Sequence, residues 1–210
     1  MGATLELILG LKVYRVLNIV GVDEAGRGPL VGNVVAAAVI FPTNFYIDGL
    51  TDSKKLTEKK REDFYSKITQ QCFWSVAEAS SIEIDELNIL QATMLAMTRA
   101  INNLQRQLIV QNQDELFKVL VDGNKCPDVA NCLAIVKGDL IEPVISAASV
   151  IAKVTRDRQM KELDLRFPEY GFKSHKGYGT KEHLNALLKH GPIPGLHRKS
   201  FSPIKRLLIN

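Results

Sequence analysis

The feature that most constrains the fold is a nine-residue segment, 21–29, which reads Gly-Val-Asp-Glu-Ala-Gly-Arg-Gly-Pro. It closes an apolar run, Asn18 to Val22, that is typical of a buried strand. Asp23 and Glu24 place two carboxylates at the strand end, and the glycines of the turn that follows leave the backbone open to close approach. Such an arrangement suits a site where metal ions and a phosphate meet. An ordinary polar turn uses the same residue types, so the choice between a metal site and a plain turn depends on the other carboxylates of the chain.

The composition indicates a soluble globular chain with a substantial core. Of the 210 residues, 46% are hydrophobic and 24% are charged, which excludes an intrinsically disordered protein. The three cysteines, Cys72, Cys126 and Cys132, are odd in number and lack C-x-x-C spacing. We therefore expect no disulfide framework, no zinc site and a cytoplasmic location. Charged residues interrupt the apolar start of the chain, so we also expect no signal peptide and no membrane span.

The charge is unevenly distributed along the chain. The formal net charge is +4, but residues 173–210 carry eight lysines and arginines against a single acid, Glu182. All four histidines lie in the same stretch. This asymmetry predicts a basic face for a polyanion attached to a more acidic centre. A solvated charged surface is the alternative interpretation.

The hydrophobic periodicity predicts an α/β fold with a mixed sheet. Strands are expected at 18–22, 32–41, 73–79, 116–121 and 133–136, and helices at 57–71, 84–107, 143–167 and 180–188. Thr57 and Thr180 are expected to cap two of these helices and Pro143 to open a third, and Leu87 is expected on the apolar face of the helix at 84–107. A tight turn should join the first two strands as an antiparallel hairpin, and helices should connect the later ones. Residues 170–180 are expected to form a basic, glycine-rich loop, and 1–17 an extra strand or a frayed end.

Two further carboxylates, Asp122 and Asp139, also follow apolar segments. If these strands are neighbours, the four acids converge at one edge of the sheet and need a compensating cation. Oxygen ligands without clustered His or Cys favour Mg²⁺ or Mn²⁺. Two ions about 4 Å apart would activate a water and stabilise the leaving oxygen of a phosphodiester. Asp23 and Glu24 point to opposite faces of a regular strand, so a bulge or the strand end must turn one of them. Each acid alone could instead simply end a strand or cap a helix.

Several segments, taken in order from about residue 18 to 203, resemble bacterial ribonuclease HII. They are Asp23 to Pro29, Asp52-Ser53-Lys54, Asp122-Gly123-Asn124, Lys137-Gly138-Asp139, Ser146 to Ser149, Ala152 to Asp157 and Gly171 to Thr180. The resemblance implies a ribonuclease H-like mixed sheet flanked by helices, with a helical C-terminal extension. It divides the chain into an extension of unknown role (1–17), a catalytic core (18–168) and a basic substrate-binding segment (169–210) packed in the same domain.

The same resemblance implies a function and assigns residues to it. The activity would be cleavage of RNA in RNA–DNA hybrids and incision 5′ of ribonucleotides embedded in duplex DNA, leaving 5′-phosphate and 3′-hydroxyl ends. Asp23, Glu24, Asp122 and Asp139 would be catalytic and hold two Mn²⁺ or Mg²⁺ ions. Gly26, Arg27 and Gly28 would meet the 2′-hydroxyl and phosphate of the ribonucleotide, and Tyr178 would pack on the adjoining deoxyribose. Only the 2′-hydroxyl distinguishes RNA from DNA locally, and backbone groups can reach it where glycine has no side chain, which agrees with this assignment. We expect a monomer with no membrane partner.

Other charged residues are assigned less directly. Lys153, Lys173, His175 and Lys176 are candidate phosphate contacts, with solvated surface charge as the alternative for each. His175 is a weaker candidate for a catalytic base, because a metal-bound water needs none. Asp157 is not assigned as a metal ligand. It is interpreted either as a group that supports the metal ligands from outside or as an ion-pair partner of Arg156 or Arg158.

Three other interpretations compete with this one. Ribonuclease HIII resembles the group but usually carries lysine in the glycine turn and an extra N-terminal domain, whereas Arg27 stands in the turn here. A nucleotide-binding module is disfavoured, because the glycine spacing misses the dinucleotide pattern and no helix follows. A non-catalytic nucleic-acid-binding protein would leave the acids unexplained, since they repel phosphate unless metals intervene.

Overall fold

The computed structural model describes residues 4–8, 11–14, 18–110 and 117–209. Near the N-terminus, β1 (Thr4–Ile8) pairs with β2 (Leu11–Tyr14) as an antiparallel two-stranded sheet. The extra strand expected there is thus a pair of strands. The rest of 1–17 and the predicted strand start at Leu116 lie outside the described residues.

A five-stranded mixed sheet forms the centre of the molecule. Its strands are β3 (Asn18–Ala25), β4 (Val34–Ile40), β5 (Phe73–Ala79), β6 (Phe117–Asp122) and β7 (Cys132–Ile135). The spatial order is β5-β4-β3-β6-β7, with β3, β4 and β5 antiparallel and β3, β6 and β7 parallel. The prediction of a mixed α/β sheet is confirmed.

Eight helices surround this sheet in the described part of the chain. They are α1 (Glu58–Gln71), α2 (Ser81–Leu87), α3 (Ile89–Val110), α4 (Gly138–Ile141), α5 (Pro143–Arg166), α6 (Phe172–His175), α7 (Lys181–His190) and α8 (Ser202–Ile209). Helix α3 packs on one face of the sheet through residues such as Met97 and Ile101, and α5 packs on the other through Ile145 and Ile151. Both faces of the central strand are therefore buried.

Local sequence signals set several helix boundaries as predicted. The Thr57 hydroxyl accepts the Lys60 N–H at 3.3 Å and begins α1, and Thr180 caps α7 in the same way. These contacts satisfy backbone donors that a first helical turn leaves free. Pro143 stands at the start of α5, where its missing N–H costs nothing.

The first two strands of the sheet are antiparallel as predicted, but the tight turn predicted between them was wrong. Strand β3 continues through Asp23 and Glu24 to Ala25, and residues 26–33 form a long connection in place of a tight turn. The register with β4 is regular, with Asp23 opposite Ala37 and Glu24 opposite Ala36. No bulge turns either carboxylate, so the two leave the strand on opposite faces.

Two other helical predictions need correction. The helix expected at 84–107 is divided into α2 and α3 at Asn88, whose φ of 71° interrupts the helical backbone. A capping box between Ser80 and Glu83 starts α2 earlier than predicted. Leu87, expected on the buried face, is exposed. The region 170–180 is not a simple loop either, because it contains the single turn of α6.

The C-terminal segment packs directly on the 26–33 connection. Leu30 donates its N–H to the Gly177 carbonyl and Gly32 donates to Leu196, both at 2.8 Å. Val31 also forms an isolated bridge with His197. A third apolar cluster around Phe172 closes this contact. None of the helices in the described ranges is long and apolar enough to cross a membrane.

Candidate active site

Three carboxylates converge where β3 and β6 lie side by side. Val22 pairs with Val121 in this parallel ladder, which places Asp122 next to Asp23. Asp139 comes from α4, just after β7, and its N–H donates to Asp122 Oδ1 at 3.4 Å. One carboxylate oxygen from each of Asp23, Asp122 and Asp139 lies within 4.8 Å of the other two. The predicted convergence of these three acids is therefore present.

Glu24 stands beside this cluster but on the other face of β3. It shares a small cavity with Asp122 and with Met94 and Met97 of α3. Its Oε1 accepts a hydrogen bond from Arg27 Nη1 at 3.3 Å. Three of the four predicted acids thus form a compact group, and the fourth approaches Asp122 from the α3 side.

The electrostatics of the cluster favour a bound cation. Burial raises the pKa of Asp23 well above its ordinary value, and the charges of Glu24 and Asp122 raise it further. Burial and then Asp122 likewise raise the pKa of Asp139. Burial also raises the pKa of Glu24, although Arg27 opposes the shift. A divalent cation would relieve this repulsion, and a set of carboxylate oxygens fits Mg²⁺ or Mn²⁺.

A lysine that the sequence did not assign to the site lies among these acids. Burial works to lower the pKa of Lys54, but the charges of Asp23 and Asp52 raise it overall. The Asp52 side chain accepts the Lys54 N–H at 2.8 Å, and the Ser53 and Ser149 hydroxyls lie 2.8 Å apart. The Asp52-Ser53-Lys54 motif was the available signal, although its residue types alone do not reveal a role.

A cleft of about 240 Å³ opens next to the acids. Glu24 lines it together with the glycine turn, Lys54 and two further lysines; its other walls come from Tyr178, Arg156 and Asp157. Tyr178 is 48% exposed, and the position of a Cβ on Gly28 would lie 3.2 Å from the Tyr178 ring. The predicted sugar-reading residues, Gly26 to Gly28 and Tyr178, are therefore neighbours across one cleft.

The predicted phosphate contacts divide into two groups. Lys153 and Lys176 line the cleft. Lys153 Nζ donates to Asp157 Oδ1 at 2.6 Å, so Asp157 pairs with this lysine and not with Arg156 or Arg158 as expected. Lys173 is exposed but does not line the cleft, and its role stays a prediction.

His175 is placed differently from the prediction. It is buried, its Nε2 donates to the Tyr170 carbonyl at 2.8 Å, and its Nδ1 accepts the Gly177 N–H at 3.2 Å. Both ring nitrogens are used inside the protein, so His175 is not placed to contact a phosphate or to act as a base in this structure. Its ring stacks on His183, which in turn contacts His197, as part of a buried histidine cluster.

Two buried arginines hold the 26–33 connection, which begins with the glycine turn, and neither was predicted to do so. Arg198 is fully buried, although the sequence placed it in a basic surface tail. Its guanidinium donates to the carbonyls of Gly26 at 2.6 Å, Pro29 at 2.7 Å, Arg27 and Gly32 at 2.9 Å, and Asn33 at 3.2 Å. Arg156 donates to Asn33 at 2.6 Å and to Val31 at 2.8 Å. No periodic pattern marks a single arginine as internal, so the sequence offered no signal for this contact.

Comparison with known proteins gives the same picture. A family model described as ribonuclease HII matches residues 20–204. Ribonuclease HII of Acinetobacter baylyi is 57% identical over 193 residues, which cover 90% of this chain and 97% of that protein. The structure of ribonuclease H2 from Pyrococcus horikoshii superposes with a TM-score of 0.71 at 27% identity, covering 90% of this chain and 96% of that one. A structure of Bst-RNase HIII in complex with Mn²⁺ has a TM-score of 0.72 at 16% identity, covering 92% and 70%.

The mixed sheet with carboxylates gathered at its edge, together with these superpositions, defines an endonuclease of the ribonuclease H-like fold class. Within that class, the match over residues 20–204 and the identity to curated relatives show that the chain belongs to the ribonuclease HII family. It is therefore an endoribonuclease that cleaves the RNA strand of RNA–DNA hybrids.

Proposed function

We propose that this chain also incises duplex DNA on the 5′ side of single embedded ribonucleotides, by hydrolysis that depends on Mg²⁺ or Mn²⁺ held at the acid cluster. The observation that carries the proposal is the adjacency of two features. Three carboxylates gather at the edge of the sheet, and the cleft beside them is lined by a glycine turn and lysines. One feature suits a cation and the other suits a sugar-phosphate backbone.

The acids would hold the metal, and the cleft would hold the substrate. Asp23, Asp122 and Asp139 would supply the ligands, with Glu24 reaching from the other face of β3. When two ions are bound, they supply the charge that activates a water and stabilises the leaving oxygen. Lys153 and Lys176 would contact phosphates, which positions the duplex without reading its sequence.

Recognition of the ribonucleotide would fall to the glycine turn. Backbone N–H groups can approach a 2′-hydroxyl closely where no side chain intervenes, and Gly28 leaves that space between the turn and Tyr178. Tyr178, exposed across the cleft, would pack on the neighbouring deoxyribose. A single 2′-hydroxyl placed against this turn would then be enough to select the site of cleavage.

The test uses a labelled DNA duplex that carries one ribonucleotide. With Mg²⁺ or Mn²⁺ we expect a nick 5′ of the ribonucleotide that leaves 3′-hydroxyl and 5′-phosphate ends, and chelation should abolish it. Asp122→Asn should bind the duplex but lower the rate more than about 100-fold, beyond the effect of losing an outer partner of a metal site. Asp128→Asn, which changes an exposed acid in the β6–β7 connection that follows Asp122, is the matched control and should cut normally.

Cleavage that survives chelation, or normal turnover by Asp122→Asn, would contradict the metal-dependent chemistry. Cutting of a long hybrid with no cutting at a single ribonucleotide would contradict the proposed substrate while leaving the family activity intact. An all-DNA duplex must remain uncut in every assay.

A further inference from the structure

The connection 26–33 is held mainly through its carbonyl groups. Arg198 donates to five of these carbonyls, and Arg156 donates to Val31 and shares the Asn33 carbonyl with Arg198. Both guanidiniums are buried, and the side chain of Arg156 lies directly under Gly26, where an added Cβ would overlap its Nε and Cδ atoms. Two rigid planar groups thus hold the backbone of the 26–33 connection, Arg198 along its length and Arg156 at Val31 and Asn33.

The N–H groups of the glycine turn, residues 26–28, are left for another partner. Those of Gly26, Arg27 and Gly28 have no acceptor among the residues that the structure describes. All three residues line the cleft. A peptide whose carbonyl is tied inward directs its donor the opposite way, because the two groups are antiparallel across the planar bond. Because Arg198 holds the carbonyls of Gly26 and Arg27, it sets which way the N–H groups of the next residues, Arg27 and Gly28, face.

The arginines also place positive charge under the turn. In the described part of the chain, neither guanidinium has a carboxylate within 4.0 Å. Burial lowers the pKa of Arg198 to about 9, with Arg156 adding to the effect, and lowers the pKa of Arg156 to about 10. Both remain cationic at neutral pH. A buried cation without an anionic partner is costly. A polyanion bound nearby would therefore receive the electrostatic stabilisation that an internal carboxylate would otherwise receive.

We propose that Arg198 is a positioning residue for ribonucleotide recognition, which holds the Gly26 and Arg27 carbonyls so that the Arg27 and Gly28 N–H groups meet the 2′-hydroxyl. Arg156 supports it by holding the same connection at Val31 and Asn33. This inference rests on the proposed function of the turn and extends it to two residues that hold its backbone. Neither arginine needs to touch the reacting atoms. Their loss should weaken discrimination between a ribonucleotide and a deoxyribonucleotide more than it weakens general duplex binding.

The experiment measures discrimination in a protein that does not cut. In the Asp122→Asn background, the Kd is determined for a duplex with one ribonucleotide and for the same duplex made of DNA alone. Arg198→Met should reduce the ratio of the two constants by about tenfold or more, since a site built to bond a hydroxyl loses its selectivity when its donors are misplaced. Binding to the all-DNA duplex should change less than about threefold, within the range of a surface contact.

Two further variants separate positioning from plain stability. Arg198→Lys keeps the charge but cannot reproduce the planar fork, so it should show an intermediate ratio. Arg158→Met is the matched control, because Arg158 is an exposed arginine on the same helix as Arg156 and pairs with Glu62. A folded Arg198→Met or Arg198→Lys protein with an unchanged ratio would overturn the proposal. Folding is checked by circular dichroism at the assay temperature.

A measurement without arginine variants keeps the test decisive if those variants fail to fold. Amide hydrogen exchange of residues 26–28 in the Asp122→Asn protein should be fast when free and slowed by the ribonucleotide duplex, but not by the all-DNA duplex. Equal exchange with both duplexes, in a parent protein that still binds the ribonucleotide duplex more tightly, would overturn the proposal. If the Asp122→Asn parent itself shows no preference for the ribonucleotide, the proposed function of the turn fails first.

Discussion

The acid cluster and the glycine turn are adjacent, but they are held in place in different ways. Asp23 and Asp122 are fixed by the pairing of neighbouring strands, and Asp139 by the short helix that follows the next strand. The turn is held by a side chain 172 residues away in sequence, through the Arg198 bond to Gly26. The acid cluster is thus built on strand ends and the short helix after one of them, while the part that would choose the substrate depends on contacts between residues distant in sequence.

The largest effect that would sharpen this comparison is expected at Gly26. Its φ is +95°, and an added Cβ would meet the buried Arg156 side chain. We expect Gly26→Ala to cost about 1–3 kcal/mol for the backbone strain alone, and to lower kcat/KM on a single-ribonucleotide duplex at least tenfold. Mn²⁺ binding, measured by calorimetry, should stay within about twofold because the three clustered acids are held by β3, β6 and α4.

Gly49→Ala provides the matched control for this substitution. Gly49 also has a positive φ, +73°, but nothing lies within 4 Å of the position that a Cβ would take there. Gly49→Ala should lower the free energy of unfolding because of the backbone strain, and its activity should stay normal. If Gly26→Ala weakened metal binding as much as substrate cleavage, the separation between the two regions would be wrong.

A medium effect is expected from the histidine cluster that supports the turn. Burial lowers the pKa of His183 to about 4, and burial together with His183 lowers the pKa of His197 to about 4. Both values lie below the ordinary value of 6.5, so the fold favours the neutral rings. The stability that the two neutral rings contribute is fully present above pH 6.5 and is lost as the pH falls toward 4. The free energy of unfolding falls by about 1.4 kcal/mol per pH unit for each proton that the unfolded chain takes up in excess of the folded one.

Urea unfolding at pH 7, 6 and 5 measures this dependence. His197→Gln should reduce the loss of stability over this range, while His190→Gln, at an exposed histidine of the same segment, should follow the parent. The difference between the variant and parent curves removes the opposite contribution of the buried acids. Parallel curves for His197→Gln and the parent would show that the cluster does not titrate in this way.

The smallest effect is expected at the rim of the cleft. Lys176→Gln should weaken duplex binding about equally for ribonucleotide and all-DNA substrates and reduce the slope of log K against log salt by about one. Lys189→Gln, at an exposed lysine on α7 that does not line the cleft, should leave the slope unchanged. A change in discrimination at Lys176 would mean that the lysine reads the sugar as well as the phosphate.

The sequence predicted the parts of the molecule that depend on local pattern. Strand ends identified Asp23, Asp122 and Asp139, and hydroxyl caps identified the starts of α1 and α7. The two-face packing of the sheet follows from the same apolar runs. These features need only neighbouring residues or strand pairing, which leave a periodic signature.

The remaining parts depend on contacts that leave no such signature. Arg198 and His175 look like surface charge in the sequence, yet the fold of the C-terminal segment buries both. The break at Asn88 was missed because an apolar repeat continues across it, while a single positive φ divides the helix. Asp157 was assigned possible partners next to it in sequence, whereas helical geometry gives it Lys153, four residues earlier.

Gly21 has a consequence of a different kind. Strand β3 and helix α5 approach so closely there that an added Cβ would overlap the main-chain carbonyl of Val144 and lie 2.6 Å from the Ile145 nitrogen. Asp23 belongs to that strand, and Asp139 belongs to the helical turn that leads into α5. The missing side chain at Gly21 therefore allows the start of α5 to lie directly against the strand that carries Asp23. A residue with no functional group of its own thus permits the close packing on which the acid cluster is built.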